Sequence, residues 1–177
     1  MLTLDATKLI TAAFAPGAAT NPPVITQPPL SRTLGAGSSS LLSFQFSGDG
    51  PFAYQWRRNR SPLSGATQLT LRLSNVAAAQ AGLYDVVVTG PGGAVTSAPA
   101  AVALFGLDWA LSNGQRLPLL VLDGPSGVGY RLEYSWNLSP TNWNLLAPVT
   151  PQGSRPHYVD ELDANFLRRF YRAVPEQ

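Results

Sequence analysis

The sequence predicts an all-β protein built from two small domains in tandem. Short runs that alternate apolar and polar residues recur along the 177 residues, and turn residues separate them about every eight to twelve positions. The chain contains 16 Gly and 16 Pro, too many for a helical protein, and 45% of its residues are hydrophobic, too many for a disordered chain. The alternation predicts strands that bury one face, and the length allows one or two domains.

Trp56 and Tyr84 are the positions that define the first domain. Trp56 lies in the predicted strand 52–58, Phe44 precedes it by twelve residues, and Val86 follows Tyr84 by two. In antibody domains a tryptophan packs on a disulfide, and the second cysteine follows a conserved tyrosine by two positions. Phe44 and Val86 therefore occupy the two cysteine positions of that arrangement.

The chain has no cysteine, which excludes a disulfide, a thiolate metal site and a cysteine nucleophile. A cross-link that closed the loop from Phe44 to Val86 would contribute about 4 kcal/mol in the chain-entropy model. We expect packing of these two side chains on Trp56 to replace it, because each fully buried side chain contributes roughly 1.5–3 kcal/mol. The predicted core of the first domain is Phe44, Trp56, Leu71, Tyr84 and Val86.

Residues 22–104 resemble an immunoglobulin-like domain of the I-set type, as repeated in large secreted bacterial proteins. The resemblance rests on four segments with the family's spacing, namely 22–28, 54–59, 71–76 and 81–86. It implies a β-sandwich without a disulfide and a secreted or cell-surface setting. It implies no catalytic residue, because the family has none to transfer.

Strand alternation predicts which side chains face the core of this first domain. In one predicted strand, Leu69, Leu71 and Leu73 are expected to point inward. Residues 75–81 are expected to form a short helical turn before the strand that contains Tyr84.

Residues 105–177 are expected to form a second small β-sandwich or a partly open barrel of five to seven strands. Asn113 and Gly114 predict a tight hairpin, since both positions of such a turn need a positive φ. This half of the chain resembles a C-terminal β-module that often follows such immunoglobulin-like repeats. Apolar side chains alternate with other residues along two predicted strands of this half: Leu117, Leu119 and Val121 in one, and Tyr130, Leu132 and Tyr134 in the other.

Residues 1–21 are expected to be a leader or linker. Two interpretations of the first fifteen residues remain open, the last strand of a preceding β-repeat and a disordered leader with chance alternation. No apolar run approaches the length of a membrane span, so we expect no membrane insertion.

The charge of the chain argues against a nucleic-acid partner. The net charge is only +2, although the pI is about 9.2, and so small an excess creates a weak long-range field. The arginines at 57–60 and 168–172 lie in predicted strands, where neighbours point to opposite faces, so we expect solvated strand faces.

Few residues could support catalysis, metal binding or cofactor binding, and we predict none of the three. His157 is the only histidine, and no Gly-x-Ser-x-Gly turn accompanies it. Asp160, Glu161 and Asp163 could bind Ca²⁺ through their oxygens, but we favour a role for Asp160 as the cap of a short helical turn. Residues 124–129 lack the lysine and the helix of a phosphate-binding loop.

Aromatic residues of the second domain are the candidates for ligand binding. Trp136, Trp143 and Tyr158 lie in or beside predicted loops, where an exposed ring can stack on a sugar or anchor a protein contact. Trp143 and Tyr134 are alternatively core residues. Trp136 is the residue that we expect to be exposed.

We expect a non-catalytic extracellular or cell-surface module for adhesion, spacing or ligand binding, monomeric in isolation, whose partner is an extracellular protein or a polysaccharide. One alternative is a carbohydrate-binding accessory domain of a secreted enzyme, which predicts an aromatic platform around Trp136. The other is a small hydrolase, which predicts a cleft between the domains lined by His157 and carboxylates. A pure spacer predicts a rigid junction near Phe105 and Gly106 without a pocket.

Overall fold

The computed structural model describes residues 21–152, 157–161 and 169–176, and in this part of the chain the fold is all-β. Its longest helical segment is a single 3-10 turn, and it contains no helix long and apolar enough to cross a membrane. The 3-10 turn spans Ala78–Gln80. The strands in chain order are β1 (Val24–Gln27), β2 (Arg32–Leu34), β3 (Ser40–Ser43), β4 (Gln45–Ser47), β5 (Ala53–Arg58), β6 (Ser61–Pro62), β7 (Thr70–Leu73), β8 (Gly82–Gly90), β9 (Gly93–Thr96), β10 (Ala100–Ser112), β11 (Gln115–Asp123), β12 (Tyr130–Ser135), β13 (Asn144–Val149), β14 (His157–Val159) and β15 (Phe170–Pro175).

The first domain is an immunoglobulin-like sandwich of two layers. In one layer β1 pairs with β4, and β3, which directly precedes β4 along the chain, pairs with β7. The other layer contains β5, β6, β8, β9 and the beginning of β10, with β2 paired in parallel to β10. The inner faces of the two layers enclose one hydrophobic cluster.

Trp56 lies fully buried at the centre of this cluster. Phe44 meets it edge to face, with 5.6 Å between the ring centroids, and Val86 lies directly opposite it across the β5–β8 pair. The indole Nε1 donates a hydrogen bond of 2.9 Å to the Gln68 carbonyl. The side chains at the two absent cysteine positions therefore pack from both layers around the tryptophan, and Leu71 lies half-buried at the edge of the cluster.

Tyr84 is the polar anchor of the same core. Its ring is buried, and its hydroxyl donates a hydrogen bond of 2.7 Å to the carbonyl of Gln80, four residues upstream. This contact is the tyrosine corner of immunoglobulin-like domains. It fixes the 3-10 turn against the start of β8.

The predicted inward position of Leu69 is wrong. Its side chain is exposed because β7 begins only at Thr70, and the preceding residues form a bend. Gln68 in this bend contributes its carbonyl to Trp56 instead. Backbone hydrogen bonding, which side-chain alternation does not reveal, sets where the strand starts.

Strand β10 belongs to both domains. Residues 100–102 pair antiparallel with β8, residues 102–104 pair parallel with β2, and residues 104–112 pair antiparallel with β11. Because successive side chains point to opposite faces, Val102 and Leu104 enter the first core while Ala103 and Phe105 enter the second. The predicted boundary between residues 104 and 105 lies inside this strand.

The second domain is a sandwich of two sheets rather than a barrel. One sheet continues from the first domain in the order β10, β11, β14, and the other has the order β13, β12, β15. Asn113 and Gly114 have φ values of 49° and 76° and form the predicted hairpin turn between β10 and β11. The core between the sheets contains Ala103, Leu120, Leu122, Tyr130, Leu132 and Ala173.

In β11 the buried face is not the one that carries the alternating Leu117, Leu119 and Val121. Leu120 and Leu122 are buried, whereas Leu117, Leu119 and Val121 are only half-buried. Both faces of β11 carry apolar side chains. The face with Leu120 and Leu122 packs in the second core, and on the other face Val121 lines the cleft beside the end of the first domain. Alternation alone cannot decide the inward side of such a strand.

We expect Tyr84→Phe to lower the free energy of unfolding by about 1 kcal/mol, because it removes a satisfied hydrogen bond from the first core. Tyr130 is the matched control in the second core. Its ring is fully buried and its hydroxyl has no hydrogen-bond partner among the described residues, and burial raises its pKa to about 12. Tyr130→Phe should therefore leave stability unchanged or raise it.

Urea denaturation of the two variants and the parent measures both changes. Equal destabilisation by the two substitutions would contradict the distinction between the two hydroxyl groups.

Candidate functional site

Trp136, the principal ligand candidate, lies just after β12 with 40% of its surface exposed. The ring of Tyr134 meets it edge to face, with 5.5 Å between the centroids. The Arg169 guanidinium lies 4.6 Å from the centre of the Trp136 ring and 5.4 Å from that of Tyr134. Trp136 is thus exposed as expected, but a cation from the same domain lies over its ring.

Arg169 is held in this position by a buried ion pair. Its Nη1 lies 2.5 Å from Asp160 Oδ2, and the side chains of Arg169 and Asp160 are 8% and 1% exposed. The Tyr171 hydroxyl donates a hydrogen bond of 2.8 Å to the same carboxylate oxygen. Burial, together with the hydrogen bond and the charge of Asp160, raises the pKa of Tyr171 to about 12. The ion pair therefore has a structural role in the second domain: it holds the Arg169 guanidinium beside the rings of Tyr134 and Trp136.

Asp160 and Glu161 are the described members of the acidic cluster that the sequence offered as a possible Ca²⁺ site. Asp163 and the helical turn that Asp160 was expected to cap lie outside the described residues. Glu161 is exposed. Within the described ranges, no three His, Asp or Glu side chains come close enough together to hold a metal ion.

Trp143 lies on the opposite face of the sheet from Trp136. The Arg172 guanidinium lies 4.2 Å from the centre of its ring, and Arg172 Nε donates a hydrogen bond of 2.7 Å to Glu133. Glu133 and Tyr134 are neighbours on β12, so their side chains point to opposite faces. The two tryptophans therefore do not form one platform.

Tyr158, the third candidate, lies half-buried on β14 opposite Leu120 and packs against the second core. His157 is exposed beside it, opposite Val121. Neither residue contacts Trp136 or Trp143 through any described ring contact or hydrogen bond.

A cleft of about 400 Å³ separates the end of the first domain from the β10–β11 hairpin. On the hairpin side the lining includes Gly106 and Asp108 of β10 and Val121 and Asp123 of β11. The cleft is mostly apolar, and His157 is not among the described residues that line it. The junction therefore contains a pocket, which a pure spacer does not predict. His157, which the hydrolase alternative places in such a cleft, does not line it.

A stripe of exposed apolar side chains lies on β10, where the sequence pattern had suggested no site. It consists of Leu107, Trp109 and Leu111, which are 59%, 60% and 79% exposed. The three lie on the same face of β10 as Ala103 and Phe105, which enter the second core, but their own side chains are exposed. Their alternation was visible in the sequence, where it indicated only a strand.

Comparisons with known proteins find similarity in fold alone. No family model and no curated protein matches the chain. A chimeric titin Z1Z2 tandem is 24% identical over 49% of this chain and 51% of that chain, with a TM-score of 0.45. The titin M3 domain is 21% identical over 48% of this chain and 98% of that chain, with a TM-score of 0.43.

The Ig1-2 module of the Drosophila receptor protein tyrosine phosphatase DLAR is 22% identical over 46% of this chain and 45% of that chain, with a TM-score of 0.43. The match thus spans about half the length of the titin tandem and of the DLAR module. In each case about half of this chain is covered.

We expect Asp160→Ala to destabilise the protein by about 3–5 kcal/mol, because it leaves the Arg169 charge buried without its carboxylate. Glu161→Ala is the matched control, since its side chain is exposed and surface substitutions usually change stability by less than about 0.5 kcal/mol. Urea denaturation measures both. A cost below about 1 kcal/mol for Asp160→Ala would contradict a structural role for the pair.

Proposed function

We propose that the chain is a non-catalytic extracellular or cell-surface module of a larger secreted bacterial protein, with a role in adhesion or spacing. The first domain is assigned to the I-set type because its four sequence segments have that spacing and because β2 pairs with β10 in parallel. The proposed partner is an extracellular protein or a polysaccharide.

The observation that supports this function best is the shared strand. Because β10 continues from one sandwich into the other without a linker, bending between the domains would break main-chain hydrogen bonds and separate two cores. A spacer or an adhesion arm benefits from such a joint, since it holds the second domain at a constant distance and angle from the first.

The described polar groups support a non-catalytic role. Each buried carboxylate of the described residues forms an ion pair with an arginine. The pairs are Asp85 with Arg57, Glu133 with Arg172, and Asp160 with Arg169. His157 is exposed on β14, and among the described residues no hydrogen bond joins it to a serine or a carboxylate. This arrangement favours structural ion pairs over an acid–base pair.

The rigid joint predicts that both domains tumble as one body. In NMR relaxation of the backbone amides in dilute solution, we expect one rotational correlation time to fit both domains. Inserting Gly-Ser-Gly-Ser between Phe105 and Gly106 should give two shorter times, because it interrupts β10. The same insertion between Asn113 and Gly114 is the control, since it only lengthens the hairpin tip. Independent tumbling of the unmodified domains would refute the proposal.

A second candidate function is carbohydrate binding, which the 40% exposure of Trp136 favours. On a polysaccharide array this function predicts saturable binding that Trp136→Ala abolishes. The variant should lose only about 1–2 kcal/mol of stability, the expected size of its contacts with Arg169 and Tyr134. Leu138→Ala is the matched control, because Leu138 is exposed in the same loop. No binding to any glycan would rule out this candidate and leave the adhesion or spacing role.

A further inference from the structure

The outer half of β10 has an open edge. Residues 104–112 pair with β11 on one side. On the other side β10 pairs with β2, and this pairing ends at Leu104. Beyond Leu104, no described strand lies along that side of β10, so a row of backbone groups faces outward.

The hairpin register identifies these groups. The turn at Asn113 and Gly114 has two residues, so Ser112 and Gln115 next to it form a hydrogen-bonded pair, and hydrogen-bonded and non-bonded pairs then alternate. Leu107, Trp109 and Leu111 fall at the non-bonded positions, where N–H and C=O point away from β11.

Pro118 supports this register. It lies opposite Trp109 and has no N–H to donate, as a non-bonded position allows. Its carbonyl accepts a hydrogen bond of 3.0 Å from the Asp160 amide on the far side of β11, away from β10. The outward groups of β10 are therefore those of the same residues that form the exposed apolar stripe.

An open strand edge with exposed apolar side chains is one that monomeric proteins usually protect. Here the Arg116 guanidinium lies 5.8 Å from the centre of the Trp109 ring, and the Trp109 amide donates a hydrogen bond of 2.8 Å to the adjacent Asp108 carboxylate. Such a bond is local, and an incoming carbonyl can replace it. The occupant that this edge fits is an extended strand with apolar side chains at alternate positions.

We propose that a second copy of this chain adds its own β10 to this edge, antiparallel, across a twofold axis at Trp109. In this register Leu107 lies opposite Leu111 of the second copy, and the two Trp109 residues lie opposite each other. All three outward-pointing residues then form hydrogen-bonded pairs, and their side chains lie on one face. The two hairpins become a continuous four-stranded sheet.

Charge selects this register over its neighbour. Centring the axis on Asp108 would place two carboxylates directly opposite each other, where like charges are destabilising. Centring it on Trp109 places each Asp108 opposite Ala110 of the other copy. The sequence from Leu107 to Leu111 is therefore complementary to itself in the antiparallel direction, as a twofold interface requires.

Sedimentation velocity from micromolar to near-millimolar concentration tests the association. We expect a reversible dimer in the intact chain and a monomer at all concentrations for Trp109→Lys, which places two ammonium groups at the axis. Leu145→Lys is the matched control and should still dimerise, because Leu145 is as exposed as Leu107 but lies on β13. A monomeric parent throughout would overturn the proposal.

Single cysteines test the register, since the chain contains none of its own. Trp109→Cys should oxidise to a covalent dimer, because opposite residues of a hydrogen-bonded pair lie about 5.5 Å apart, within the range of a disulfide. Leu111→Cys alone should not, since the two copies of residue 111 would lie about 14 Å apart.

Mixing Leu107→Cys with Leu111→Cys should yield a mixed covalent dimer that retains Trp109. A dimer in sedimentation that forms none of these cross-links would overturn edge pairing as its basis.

Discussion

Strand β10 presents its two faces to two different hydrophobic cores, and the arrangement of the whole chain depends on this constraint. Val102 and Leu104 complete the core around Trp56, while Ala103 and Phe105 complete the core around Tyr130. Neither sandwich can lose this strand without exposing its interior. The cleft at the junction follows from the same geometry, because the even-numbered face of β10 leaves the first core at Leu104 and turns toward solvent at Gly106.

The first core shows how an immunoglobulin-like sandwich holds together without its disulfide. Phe44 and Val86 contact Trp56 from the two layers, and burial of such side chains contributes roughly 1.5–3 kcal/mol each. This is comparable to the cross-link that the chain lacks. Packing stabilises the folded state directly, whereas a cross-link acts mainly on the unfolded chain. The tyrosine corner adds a directional contact that packing alone does not provide.

The second domain uses charge where the first uses packing. Arg169 and Asp160 form a buried pair beside three aromatic rings, and Arg172 joins Glu133 to Trp143 on the outer face. Aromatic residues that looked available for a ligand in the sequence are thus partners of arginines from β15 or the residue before it. Aromatic and arginine side chains about thirty positions apart meet here through strand pairing, so spacing in the sequence could not reveal the contacts.

The sequence by itself determined the local features of this protein: the sandwich signature of Trp56 and Tyr84, the hairpin at Asn113 and Gly114, and most strand positions. These depend on alternation and on turn chemistry, which act over a few residues. Tertiary structure decided which face of β11 is inward, how Trp136 is engaged, and that β10 continues past the domain boundary with an apolar stripe. The physical reason is that burial depends on where the covering sheet ends, and that limit is set by strands distant in the chain.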